Sequence, residues 1–201
     1  LVVPEVNLDA LRAHKGIIAN PNCSTIQMVA ALEPIREKFG LKRIVVSTYQ
    51  AVSGAGAEAI DELEAQSGQF DNRSEIDAKL LPSASGKKHY PIAFNAIPQI
   101  DAFDPSSGYT LEELKMMNET KKIFAMPELQ VSATCVRLPV VTGHSESIYI
   151  EVDNEDVSVE ELHEVLREEP SVVLQDENNT QTYPIPIFAE EKDDICIGRV
   201  R

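Results

Sequence analysis

The sequence predicts an α+β fold built on long antiparallel strands. Segments with strand-like composition or alternation run over residues 41–51, 129–138 and 145–152. Helical stretches opened by capping signals fall between them, and no βαβ unit repeats. With no internal repeat, low-complexity tract or clear linker, residues 1–201 read as a single domain with irregular insertions.

Gly16 to Asn20 reads as a short buried strand ending at Pro21, because the residue before a proline is pushed out of helical geometry. A helix then begins near Cys23 or Ser24, where Ser24-Thr-Ile-Gln27 has capping-box spacing. Ile26, Val29, Ala30 and Ile35 fall near one face of it. Pro34 removes an internal hydrogen bond and is expected to kink or split the helix, and Gly40 stops it. Residues 41–51, rich in Ile, Val, Thr and Tyr, form a strand, followed by the turn Ser53-Gly54-Ala55-Gly56 and a helix over 57–66.

Further along, residues 92–97 are expected to pair into a sheet. Thr110-Leu-Glu-Glu113 is a second capping-box spacing and opens a helix carrying Leu111, Leu114, Met117, Ile123 and Phe124. Residues 129–138 and 145–152 are long strands, and Ser158-Val-Glu-Glu161 caps a last helix that ends before Pro170. The sequence opens on Leu1-Val2-Val3 and closes on the run Ile195 to Arg201, both strand-like, as expected of a piece of a longer protein.

Charge narrows the function classes. Lys and Arg number 18 against 33 Asp and Glu, a formal net charge of −15. So acidic a surface argues against nucleic acid and anionic membrane as partners, since both need a basic patch. Small anions remain open wherever basic residues gather locally. Apolar runs such as Met28 to Leu32 fall far short of the roughly 20 residues that span a bilayer. Cys23, Cys135 and Cys196 are widely spaced and match neither a zinc knuckle nor a disulfide framework, so no metal is expected. Together with four Asn-x-Ser/Thr triplets and no signal peptide, this points to a reducing, cytoplasmic compartment.

The chemistry centres on Asn20-Pro-Asn-Cys-Ser-Thr25, which sets a cysteine at a strand-to-helix corner where orphan N–H groups and the helix dipole favour negative charge. A thiol of ordinary acidity is only about 3% ionised at neutral pH, and such a position raises that fraction. The plainer reading of Cys23 is a small buried hydrophobe, and it holds for Cys135 and Cys196 inside apolar strand patterns. A nucleophilic cysteine needs a proton carrier. Of the four histidines, His144 follows Gly143 at a break between two strands, whereas His163 lies in an acidic amphipathic helix and His14 and His89 in polar stretches, each most simply a solvated residue.

Asn20-Pro-Asn-Cys-Ser-Thr25, Tyr49-Gln-Ala-Val-Ser-Gly-Ala-Gly56, Glu112-Glu-Leu-Lys115 and Arg137-Leu-Pro-Val-Val-Thr-Gly-His144 occur in that order, and with them the whole chain resembles the bacterial aspartate-semialdehyde dehydrogenases. N-acetyl-glutamyl-phosphate reductase is a sister family, but its cysteine motif usually runs Asn-Pro-Gly-Cys-Tyr, and Asn22 and Ser24 favour the first. The resemblance implies NADP-dependent, reversible reductive dephosphorylation of aspartyl phosphate to aspartate semialdehyde, a step toward lysine, threonine and methionine. It makes Cys23 the thioacyl-forming nucleophile, His144 the acid/base, and Gln50 the group that orients the substrate at the reacting carbonyl. Arg137 corresponds to the grip on the substrate α-carboxylate and Glu112 to the group facing its α-amino end. Asn22 and Lys115 correspond to phosphate contacts, and Ser53 and Gly54 to a cofactor contact beside the nicotinamide. Glu112 and Lys115, three apart on a predicted helix, share a face; an exposed ion pair is their plainer reading, as a helix-entry turn is for Ser53 and Gly54.

The resemblance also implies the α+β domain of glyceraldehyde-phosphate dehydrogenase C-terminal halves: a mixed, largely antiparallel sheet with helices on one face and a second subunit of a homodimer covering the other. No Gly-rich dinucleotide fingerprint precedes Leu1 and no return helix follows Arg201, so the catalytic and dimerisation domain is expected here without the N-terminal dinucleotide-binding half, leaving the NADP site incomplete. The competing expectation is a domain that self-associates and binds small anions without turnover.

Overall fold

Pro4 occupies the first turn of a short helix, α1 (Pro4–Asn7), where its missing N–H is an orphan in any case. A 3-10 turn follows at Leu8–Ala13. The computed structural model describes residues 1–154 and 156–201. The expected buried strand at 16–20 is absent: residues 17–20 have no regular structure and Ile17 is 89% exposed. β-branched residues favour an extended chain but do not supply a partner strand. The opening Leu1 to Val3 likewise stays outside the sheets, meeting this segment through a bond from Val2 N–H to Ala19 C=O.

Helix α2 (Cys23–Phe39) is capped by Asn22 rather than by Ser24. The Asn22 side chain accepts from the N–H groups of Ser24 and Thr25 at 3.0 and 3.1 Å. Ser24 therefore lies inside the first turn, its Oγ buried and without a hydrogen-bond partner among the described residues. The helix continues through Pro34 as one element to Gly40, whose φ of 75° ends it. Strand β1 (Arg43–Gln50) alternates strictly enough to bury Ile44, Val46, Thr48 and Gln50. After a 3-10 turn at Val52–Ala55 comes α3 (Ala57–Ser67), and later α4 (Leu111–Ile123), β2 (Gln130–Arg137), β3 (Ser145–Glu151) and α5 (Val159–Glu168). The chain closes with β4 (Val172–Leu174), α6 (Pro186–Ala189) and β5 (Ile195–Ile197).

The fold is α+β. One sheet has the order β2-β1-β3, and a second pairs β4 with β5 in parallel, Val173 opposite Cys196. The chain divides into two compact units, Leu1–Val45 with Met116–Ser132 and Ile148–Arg201, and Val46–Lys115 with Ala133–Ser147.

In the first unit α5 packs on α2 and β4. Its start carries the expected capping box between Ser158 and Glu161. On α2, buried Glu33 takes a two-pronged bond from Arg36 at 2.6 and 2.7 Å, and the guanidinium lies 5.5 Å from the Phe124 ring. Paired in this way, a buried carboxylate avoids the penalty of an isolated charge.

The second unit has a core of Val52, Ala59, Leu63, Leu81, Ile92, Ala93 and Ile97. The strand expected over 92–97 reduces to one bridge, Ile97 with Arg137. Buried Gln66 takes the N–H groups of Ile92 and Ala93 on its Oε1 at 2.9 and 3.1 Å, so these amides are spent on a side chain. The capping box expected at Thr110 is present: Thr110 N–H donates to Glu113 Oε2 at 2.8 Å, and Glu113 N–H to Thr110 Oγ1 at 3.3 Å. Among the described residues no helix is long and apolar enough to cross a membrane.

Candidate active site

In the first unit, Cys23 is the first helical residue after the Asn22 cap and is exposed. The amides at this corner are held by named partners. Asn22 Oδ1 takes Ser24 and Thr25, and Asn22 C=O takes Ile26 N–H at 2.9 Å. Asn22 N–H donates to Glu119 Oε2 of α4 at 2.7 Å. Thiol and helix N-terminus thus share one corner. Cys135 is the opposite case. Burial pushes its thiol up to about 12, the Thr48 bond opposes this, and Glu112, Glu113 and Glu146 add to it. The cysteines are all free thiols, Cys196 only partly exposed.

The second unit holds Gln50, Ser53, Gly54, Glu112, Lys115, Arg137 and His144. Gln50 ends β1 with its side chain buried. Thr48 Oγ1 donates to Gln50 Oε1 at 2.9 Å, which leaves the Gln50 amide N–H to donate to Glu112 Oε1 at 3.1 Å. Thr48 and Gln50 share a strand face, so period-two spacing was the signal that would have added Thr48 to the candidates. Glu113, one residue on from Glu112, is structural, its Oε1 accepting from Cys135 N–H at 3.0 Å.

Lys115 lies 3.3 Å from Asp101 Oδ2 and 3.7 Å from Glu112 Oε2. Partial burial works against its charge, but Asp101 and Glu112 outweigh it and hold the ammonium above its usual range. Asp101 carries no sequence signal. It lies in a loop at φ 68°, and only the fold brings it to α4.

Arg137 and His144 meet at the turn after β1. The N–H groups of Val52 and Ser53 donate to the carbonyls of Val140 and Val141, which pins the turn to the segment leading into Gly143. Gly143, at φ 87°, makes the bend that precedes His144. Arg137 Nη1 donates to Ala51 C=O at 2.6 Å, and Ala51 N–H donates to His144 Nδ1 at 3.1 Å. Because a backbone N–H occupies Nδ1, the neutral imidazole carries its proton on Nε2. Burial, then the Arg137 charge, bring His144 down to about 4 against an opposing pull from Glu112, so the ring is neutral at pH 7. Gly54 lies so close that a Cβ there would stand 3.0 Å from His144 Nε2 and 3.2 Å from Arg137 Nη1.

Asn22 and Cys23 thus belong to the first unit and the remaining candidates to the second. Among the described residues no group of three or more His, Cys, Asp or Glu is arranged to hold a metal ion.

Residues 32–201 match the family model described as semialdehyde dehydrogenase, dimerisation domain. The chain is 61% identical over 201 residues to an aspartate-semialdehyde dehydrogenase of Bacillus subtilis, covering all of this chain and 58% of that protein. Among solved structures, aspartate semialdehyde dehydrogenase II from Vibrio cholerae is similar at 43% identity and a TM-score of 0.89, over the whole of this chain and 57% of that one. The same enzyme complexed with ASA gives 42% and 0.88, with the same coverage. Aspartate semialdehyde dehydrogenase with NADP from Candida albicans gives 26% and 0.65, again over 57% of that chain. The chain thus spans a little over half the length of the relatives it matches.

Proposed function

Since the chain belongs to the semialdehyde dehydrogenase family through its dimerisation domain, we propose that it forms the catalytic and dimerisation domain of an aspartate-semialdehyde dehydrogenase. The reaction is the NADP-dependent, reversible reductive dephosphorylation of L-aspartyl 4-phosphate to L-aspartate 4-semialdehyde. The observation that carries this reading is the fixing of Arg137 and His144 to the two sides of Ala51, beside Gly54 and the Gln50–Glu112 pair.

In this reading the Cys23 thiolate attacks the acyl carbon of the substrate. A C–S bond forms, the bond from carbon to the bridging phosphate oxygen breaks, and inorganic phosphate leaves with that electron pair. Arg137 suits the α-carboxylate, its planar guanidinium fixed in orientation by the bond to Ala51. Glu112, already accepting from Gln50, faces the α-ammonium group, and Gln50 orients the reacting carbonyl. Asn22 and Lys115 take the phosphate, for which Lys115 must leave Asp101. His144, neutral with its proton on Nε2, donates to the oxygen on which charge develops. The reduced cofactor, NADPH, when bound, would supply the hydride that converts the thioester to the aldehyde, the C–S bond breaking as the Cys23 thiolate is released. The missing side chain of Gly54 makes room for His144 and Arg137, and Ser53 and Gly54 make the contact beside the nicotinamide.

The domain self-associates as a homodimer, in keeping with the family description. The free thiols suit a reducing, cytoplasmic setting. The test is to supply the full-length protein carrying this chain with aspartate semialdehyde, phosphate and NADP. Phosphate-dependent reduction of the cofactor, abolished in Cys23→Ser, is expected, and no reduction by the wild-type protein overturns the reading.

A further inference from the structure

We infer that Glu119 is a positioning residue for the Cys23 nucleophile, acting through the backbone of Asn22; the inference rests on the reading of Cys23 given above. Its carboxylate accepts the Asn22 N–H at 2.7 Å across 97 residues of sequence. This bond ties the corner before α2 to α4, whereas the bonds from Asn22 Oδ1 to Ser24 and Thr25 and from its C=O to Ile26 close within the turn. Local capping fixes the shape of a corner but not where it stands. Pro21, immediately before, has no N–H to give, which makes the Asn22 amide the first donor after the proline.

Glu119 is itself held by the helix that bears it. Thr120, next along α4, is fully buried with Oγ1 on Met116 C=O at 2.6 Å, so the backbone at this point of α4 is packed and ordered. Glu119 follows Glu112 by seven residues, about two helical turns, and therefore lies on the same stripe of α4. A reacting sulfur must stand within a few tenths of an ångström of its attack geometry, and a misplacement of about 1 Å costs on the order of 10²-fold in rate. A side-chain acceptor on a packed helix supplies that placement, whereas a bond to water does not.

Length and charge separate under substitution. Glu119→Gln keeps the reach and an acceptor oxygen while removing the charge; Glu119→Asp keeps the charge but is one methylene short. In the full-length protein, Glu119→Gln is expected to stay within about 3-fold of wild type in kcat. Glu119→Asp and Glu119→Ala are expected to lose roughly 10- to 100-fold in kcat, with the KM for aspartate semialdehyde changed far less. The same order is expected without turnover, in the rate at which iodoacetamide labels Cys23 at fixed pH, read by peptide mass spectrometry. Glu119→Asp at wild-type rate in both assays, or Glu119→Gln as damaged as Glu119→Ala, overturns the inference. If the wild-type protein fails to turn over the semialdehyde, the functional reading falls, while the labelling order still decides the role of Glu119. Circular dichroism of Glu119→Gln and Glu119→Asp establishes that both are folded.

Discussion

Arg137 and His144 are fastened to opposite sides of one residue: the Arg137 guanidinium donates to the Ala51 carbonyl and the Ala51 amide donates to the His144 imidazole. The arrangement fixes the tautomer of the histidine and places a permanent cation beside it, which helps to keep the ring neutral.

Arg137 therefore does structural work as well as the binding proposed for it. Arg137→Ala leaves the buried Ala51 carbonyl with the long 3.4 Å bond from Gly54 N–H, and is expected to cost about 1–3 kcal/mol of stability. Lys115→Ala removes a half-exposed side chain and is expected to stay within about 0.5 kcal/mol. Both are expected to weaken substrate binding in the full-length protein. Urea unfolding set beside KM separates the two cases.

The histidine makes stability depend on pH. Folded His144 titrates at about 4 and the unfolded residue at 6.5, so between these values the unfolded chain takes up a proton that the folded one refuses. The stability given by the neutral ring is complete above pH 6.5 and is lost as pH falls toward 4. The depressed carboxyls Asp104 and Asp176 act below this window, since their unfolded values are 3.8, while Glu161, with an unfolded value of 4.5, overlaps its lower end. His144→Asn is expected to flatten the slope of unfolding free energy between pH 6.5 and 4.5, measured by denaturant titration at successive pH values.

Gly54→Ala tests the contact at the turn. The backbone of Gly54 tolerates alanine, but the new methyl would press on the His144 ring and on Arg137 Nη1. About a tenfold loss in kcat/KM is expected, with a far smaller fall in unfolding midpoint. An unchanged kcat/KM would mean that both side chains yield freely.

Alkylation at neutral pH is expected to label exposed Cys23 first and Cys135 last, since burial holds the Cys135 thiol at about 12. Peptide mapping gives the order, and equal labelling of all the cysteines in the folded protein contradicts it.

Tyr149 of β3 is 61% exposed in the single chain. Large aromatic side chains in that condition are favoured at subunit interfaces. Tyr149→Asp is expected to weaken self-association by about tenfold or more with little change in monomer stability, as read by sedimentation equilibrium.

What the sequence made legible was whatever local chemistry decides. Thr110 with Glu113 and Ser158 with Glu161 form the capping boxes their spacing announced, because both partners lie within one turn. Ser24 with Gln27 has the same spacing, but Asn22 takes the cap, and the helix starts at Cys23, one of the two expected positions. Residues 92–97 looked like a strand, and nothing local foretold that Gln66, distant in sequence, would take two of their amides. The candidate site divides in the same way. Motifs mark Gln50, Glu112, Arg137 and His144. Ala51, Asp101 and Glu119 act through a backbone group or a contact made only by the fold, and no motif marks them.

The most direct test of the central claim is to trap the acyl group on sulfur. The full-length protein is mixed with aspartate semialdehyde and NADP in the absence of phosphate, quenched in acid, digested and weighed peptide by peptide. A burst of reduced cofactor stoichiometric with protein is expected, together with an aspartyl thioester on the Cys23 peptide that is discharged as aspartyl phosphate when phosphate is added. A burst that leaves the Cys23 peptide at its unmodified mass, or an acyl group on any other residue, contradicts it.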